Sequence, residues 1–285
     1  MRLFILNRVL LLALVLPLSG CKAQMSPEGF DHAKSAALNP ERRAQVDIAF
    51  FNDFVARDMP GGMWQSGVNH PRGARIHALA EEGFEVAWLA ERFYNFNRFG
   101  YLDTPNGQHY WSRIKELADE GDASAQCFIW LSAEELQLDG FFKPPKADVD
   151  NRAHYLKLAV AQGQPECTGS WGAYPNKDQK KHAENNLQAA KKGCVRCQSR
   201  VSSFYMSGLG LPKDLAKAWC WALEAERNND SPSYVGSRQI VHRAIMQTKP
   251  NDTGHPEDLI HYRPGSNCTE PIAIPMSATE SKKGE

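Results

Sequence analysis

The sequence has no excess of charge of either sign. Its 285 residues carry 33 Lys+Arg against 33 Asp+Glu, a formal net charge of +0. A nucleic-acid binder needs a basic face, and a receptor for basic partners an acidic tail; the balance points to neither, and no nucleic-acid partner is expected. Patterned catalytic motifs are missing too. No G-x-S-x-G, P-loop or Rossmann glycine pattern occurs. The 9 histidines are scattered and none forms H-E-x-x-H, so no zinc centre is expected. The acid pairs Glu81-Glu82 and Glu134-Glu135 fall in helical stretches and read as solvated faces. No catalytic residue, metal ligand or cofactor is assigned, and the chain reads as a binder rather than an enzyme. With 23% charged and 42% hydrophobic residues, it has the composition of an ordinary folded body.

The N-terminus is of another kind. Arg2 and Arg8 precede an apolar run, residues 9–18, that is broken only by Pro17 and followed by Ser19, Gly20 and Cys21. A basic start, a short apolar core and small residues before a cut make a secretory signal, residues 1–20. The run is too short to span a bilayer comfortably. Leu18-Ser19-Gly20-Cys21 resembles the lipobox of bacterial lipoproteins. That resemblance makes Cys21 the mature N-terminus, diacylated on sulfur and acylated on its amine, so the membrane is reached through lipid. Lys22, where an Asp favours inner-membrane retention, points to the outer membrane with the body facing the periplasm. Without Cys21 six cysteines remain: Cys127, Cys167, Cys194, Cys197, Cys220 and Cys268. An even set in an exported body implies disulfides, but six cysteines allow 15 connectivities and the spacing selects none. Cys197 with Cys220, across one hairpin, is one conceivable pair. Cys194-x-x-Cys197 admits a second use, as the thiol pair of a periplasmic oxidoreductase. An Ala-rich helix precedes it where a thioredoxin-like site has a strand, which favours structural cysteines.

Residues 21–38 read as a lipidated tether with a weak helical signal at 29–37. Asn39-Pro40-Glu41 then starts a helix: a capping side chain, proline in the first turn, and an acid near the positive helix end. Val46, Phe50, Phe51, Phe54 and Val55 follow at helical spacing. Residues 63–73 and 101–108 read as irregular loops. Further helices are expected over 74–82, 109–120, 125–138, 148–162, 177–192 and 196–205. A mark recurs among them: an Ala-rich last turn, a glycine, and another helix about four residues on. The glycines are Gly83, Gly121, Gly163 and Gly193. A helix end commonly needs a left-handed residue just beyond it, and glycine takes that conformation without a side-chain clash. Small residues follow four positions later, at Ala87, Ala125, Cys167 and Cys197, where helices pass closely. One more helix at 233–248 can cap the open end, with Val235, Ile240, Val241 and Ile245 as its core side. Residues 249–285 carry five prolines and read as an extended tail pinned once by Cys268.

The clearest unit runs from Tyr205 through Gly208, Gly210, Pro212 and Asp214 to Trp219. It resembles the Sel1-like repeat, a relative of the tetratricopeptide repeat, and residues 117–126 and 189–193 resemble its junction. The resemblance covers roughly residues 74–226, within a helical repeat domain of residues 39–248. It implies an all-α fold: an α/α superhelical solenoid of helical hairpins with a concave face that binds a protein partner. Small lipid-anchored proteins of this kind resemble immunity partners of lipase effectors delivered by type VI secretion, so neutralising a periplasmic toxin is the function it implies. The alternative is an envelope scaffold or adaptor. Exposed aromatics commonly anchor such interfaces, and the candidates are Trp64, Trp88, Tyr94, Trp130, Trp171 and Tyr174.

Overall fold

The computed structural model describes residues 29–55, 71–97, 105–134, 146–171, 178–228, 232–248 and Cys268. The described residues form helices and no strand. Two lead the chain, α1 (His32–Ala37) and α2 (Pro40–Phe54). Hairpins follow: α3 (Pro71–Glu81) with α4 (Glu85–Asn97), α5 (Pro105–Asp119) with α6 (Ala123–Glu134), and α7 (Lys146–Ala161) with α8 (Pro165–Ser170). Then come α9 (Gln179–Lys191) with α10 (Val195–Ser207), and α11 (Leu215–Asn228) with α12 (Pro232–Thr248). From α2 onward each helix packs on the next, and α6, α8, α10 and α12 also touch in series. Consecutive stacking of hairpins, with second helices adjacent, is how a solenoid builds one continuous core from units that cannot bury their own faces.

One device seals four of the junctions. The N–H groups of Gly83, Gly121, Gly163 and Gly193 donate to the carbonyls of Ala80, Ala118, Val160 and Ala190, at 2.9–3.1 Å. The next N–H groups, of Phe84, Asp122, Gln164 and Cys194, reach back to Leu79, Leu117, Ala159 and Ala189 at 2.9–3.2 Å. These two bonds satisfy carbonyls that a helix end would leave bare, and they require the left-handed φ that the four glycines adopt, +74° to +106°. Gly83 has a second reason. A Cβ there would lie 2.7 Å from the Lys34 backbone, so glycine lets α1 pass over the first junction. Neighbouring units repeat further bonds. The Gln126 amide donates to Ala118 O and the Gln198 amide to Ala190 O, at equivalent positions of α6 and α10.

A long-range element is α2, which runs as a strap along this junction edge. The Arg42 guanidinium pairs with Glu82 at the first junction. Arg43 donates to Asp122 at the second, 2.5 Å away. Asp47 accepts from Ser124 Oγ at 2.5 Å and from Gln164 Nε2 at 3.2 Å, joining the second junction to the third. Asn52 donates to Gly193 O and accepts from Val195 N–H at the fourth. The other side of α2 buries Val46, Phe50, Phe51 and Phe54. Phe50 meets Phe84 and Phe128 at centroid distances of 5.8 and 6.3 Å, and Phe54 stacks on Phe50 at 5.2 Å. Full burial of each such ring is worth about 1.5–3 kcal/mol.

Several boundaries differ from the sequence reading, each for a local reason. The body begins before residue 38. Phe30 is buried against Trp88, and α1 is capped by the Asp31 carboxylate, so residues 30–37 belong to the body and not to the tether. Pro71 and Pro105 open helices instead of lying in loops, because proline suits the first turn, whose N–H has no partner. Asn39 and Asp214 cap α2 and α11 as expected, accepting from Arg42 N–H at 2.8 Å and Lys217 N–H at 2.9 Å. On α12, Val241 and Ile245 face the core while Ile240 is 53% exposed. Residues 1–28, including the signal and Cys21, lie outside the described residues, as does the tail beyond residue 248 apart from Cys268.

Candidate interaction surface

The structure removes two of the six aromatic candidates from the surface. Trp88 is buried between α1 and α5, with Phe30 at 5.7 Å, Tyr110 at 5.9 Å and the Arg92 guanidinium 3.6 Å over its ring. Trp130 is buried on α6, which packs between α5 and α7. An amphipathic pattern cannot separate an aromatic on an interhelical seam from one facing out, and here the seam takes both. Trp64, Tyr174 and the Tyr94 side chain lie outside the described residues. Trp171 is left half-buried, at the C-terminal end of α8.

All six body cysteines are paired: Cys127–Cys167, Cys194–Cys197 and Cys220–Cys268. The conceivable Cys197–Cys220 pair does not form, because Cys197 is joined to the residue that caps its own helix. Cys194 Sγ accepts from Cys197 N–H at the start of α10. Cys127–Cys167 links the second helices of successive hairpins, and Cys220–Cys268 ties the tail to α11. Cys194 and Cys197 are 2% and 0% exposed, and the Glu166 carboxylate lies against them. A redox-active pair needs an accessible sulfur in an electropositive setting, whereas these two are sealed beside a carboxylate. The carboxylate is itself engaged: Arg196 forms a buried ion pair with Glu166 across the third and fourth junctions.

A buried carboxyl and a half-buried imidazole have displaced acidities. Burial pushes the Asp47 carboxyl up to about 7; Asp122 adds to the rise, while the bonds from Ser124 and Gln164 and the charge of Arg43 oppose it. Burial, helped by the nearby Arg200 charge, holds the His182 imidazole down at about 4. His182 packs edge-on to Phe204 at 5.4 Å.

Trp171 borders a cleft of about 260 Å³. Val160 of α7, Thr168 of α8 and Lys181, Asn185, Gln188 and Lys192 on the α9 side complete most of its lining. The cleft opens where one hairpin is cut short. Helix α8 has 6 residues, against 13, 12 and 13 in α4, α6 and α10. The i, i+4, i+7, i+11 spacing of 181, 185, 188 and 192 was the available sign in the sequence of a shared polar face. Arg43, Asp47 and Asn52, the residues that hold the strap, had no local sign of their partners.

No family model matches the chain, and no curated protein matches it. Among solved structures it is similar to a protective antigen of uropathogenic Escherichia coli with an SLR fold. That protein is 20% identical over 70% of this chain and 43% of its own, with a TM-score of 0.42. This chain therefore spans less than half the length of that protein. A Sel1 repeat protein from Oxalobacter formigenes is 16% identical over 81% of this chain and 88% of its own, with a TM-score of 0.43. The all-α solenoid architecture of the present chain rests on its own hairpins, which stack in order and share one glycine-sealed junction.

Proposed function

We propose that this chain is a lipid-anchored protein facing the periplasm from the outer membrane, and that its array binds and neutralises a toxin delivered into the periplasm, as an immunity partner does. The observation that carries the binding role is the series of hairpins sealed by one repeated junction and held in line by α2. A rigid extended array is a surface for another protein, and Sel1-type arrays serve as interaction and scaffold modules. Three disulfides suit a chain exported to an oxidising compartment. The anchor sharpens the reading. From Cys21 to Phe30 the chain can reach about 32 Å at most, so a lipid on Cys21 keeps the body close to the bilayer. An enzyme attacking phospholipid works at that surface, and a binder held there meets it.

Co-expression with the products of the genes that flank this chain's own, each directed to the periplasm, tests the proposal, the toxin being the one that lyses cells when expressed alone. The expected outcome is a stable complex in size-exclusion chromatography and survival of cells that the toxin alone would lyse. Neither complex nor protection would overturn the immunity role. Capture of resident envelope proteins in its place would move the function to an envelope adaptor.

A further inference from the structure

We infer that the cleft bounded by Trp171, Lys181 and Lys192 is a contact point for the partner protein, and that it takes a partner side chain or chain end in which a carboxylate sits beside a flat apolar group. The inference rests on the protein-binding reading above and adds the chemistry of one contact.

The lining divides by character. Trp171, Val160 and Ala189 supply an apolar wall, and Lys181 and Lys192 supply positive charge. Among the described residues no carboxylate lines the cleft and none pairs with either ammonium. Lys192 Nζ donates to Gly163 O at 3.0 Å, which fixes it at the cleft wall while its other two N–H groups remain able to donate. The amides of Asn185 and Gln188 add donors on the same helix face. An ammonium pair beside an indole is matched by an anion that also carries an apolar surface. A bare phosphate would leave the indole wall unused, and an uncharged apolar group would leave the ammonium groups unmatched. At about 260 Å³ the space is below the usual ~300–1,000 Å³ of small-molecule pockets, which suits one side chain or chain end. The geometry also explains the place. Among the described residues, Trp171 stands half-buried at the end of the short α8 and shares the cleft with the 181–192 face of α9.

The test uses the mature full-length protein in detergent, with acetyl-Phe-Glu amide as probe, acetyl-Phe-Gln amide as its neutral isostere, and inorganic phosphate as the bare anion. Binding is followed by nuclear magnetic resonance of the Trp171 indole and the Asn185 and Gln188 amides. The acidic peptide is expected to bind about two- to fivefold tighter than the neutral one, the scale of an exposed ion pair, and phosphate not to shift the indole. Lys181→Gln with Lys192→Gln should remove the preference while the protein stays folded, since both side chains are exposed and the one bond lost, Lys192 Nζ to Gly163 O, is exposed too. Equal binding of the two peptides, or a preference that survives the double variant, would overturn the inference. A second arm separates it from the functional proposal. With the toxin complex, Lys181→Glu/Lys192→Glu should weaken capture at least about tenfold. Undiminished capture overturns the cleft and leaves the binding role intact. A wild-type protein that binds the acidic peptide at the cleft but no toxin overturns the immunity role alone.

Discussion

The two halves of the array are held together differently. The N-terminal core, from Phe30 to Cys167, is filled with aromatic rings from α2, α4 and α6, and α2 bonds across four junctions of the chain. The C-terminal core, from Ala189 to Cys268, is built of alanine, cysteine and tryptophan between neighbouring helices. Between the two lies buried polar ground: the Glu166–Arg196 pair, and Asn186 donating to Gly169 O at 2.6 Å. A solenoid of nearest-neighbour contacts unfolds unit by unit from its ends, whereas an element that touches many units makes them open together. The strap thus makes one cooperative block of the hairpins it crosses. The far end has Cys220–Cys268 in the same role.

The largest expected effects come from cutting those ties. In the chain-entropy account, Cys127–Cys167 and Cys220–Cys268, with separations of 40 and 48 residues, each contribute about 4 kcal/mol, against under ~2 kcal/mol for Cys194–Cys197. Cys127→Ser/Cys167→Ser should lower the urea midpoint of the whole strapped block in a single transition. Cys220→Ser/Cys268→Ser should instead uncouple α11 and α12, so that they lose hydrogen-exchange protection before the rest. Uniform loss of protection in both variants would refute the division into blocks.

This difference between the halves was only partly legible in the sequence. The junction glycines could be read because their reason is local: a helix end needs a left-handed residue within one turn. Asn39-Pro40 and Asp214 could be read for the same reason. The strap could not, because Asn52 meets its partner 141 residues away, and no local pattern encodes such a pairing. The amphipathic stripe of Val46, Phe50, Phe51 and Phe54 announced a buried face, but it did not reveal that Arg43, Asp47 and Asn52 were engaged as well. The cysteine pairing was likewise a property of the folded stack. The surface candidates failed where seams were hidden, at Trp88 and Trp130, and Trp171 remained at the surface because the irregular hairpin ended early.

A pH titration sharpens the comparison within the strapped block. The Asp47 carboxyl is raised from 3.8 to about 7, chiefly by burial, so the folded block prefers it protonated. Its stabilising contribution is full below pH ~4 and is lost as pH rises through about 7, with an upper bound near 4 kcal/mol from the size of the shift. The charged and titratable groups facing it are Asp122 and Arg43. Asp47→Asn keeps a polar side chain between Ser124 and Gln164 and removes the titration. Measured from pH 4 to 8, the stability of wild type relative to this variant should fall with pH. A constant difference over that range would show that Asp47 stays ionised in the fold.

The opposite slope, and the smallest effect, belongs to the C-terminal side. His182 is lowered from 6.5 to about 4, by burial first and Arg200 second, so the fold there prefers the neutral ring. Its contribution is present above pH 6.5 and is lost as pH falls through about 4. The ring is only partly buried, which leaves it some hydration when charged and makes the loss smaller than that at Asp47. His182→Asn should therefore gain on wild type as the pH is lowered from 6.5 to 4, over the interval in which Asp47→Asn falls behind wild type. Hydrogen exchange localises the two trends, with α2 and α6 reporting Asp47, and α9 and α10 reporting His182. If both variants tilted in the same direction, one of the two displaced acidities would have the wrong sign. Opposite tilts are what a carboxyl raised by burial and an imidazole lowered by burial require, each read in the helices that hold it.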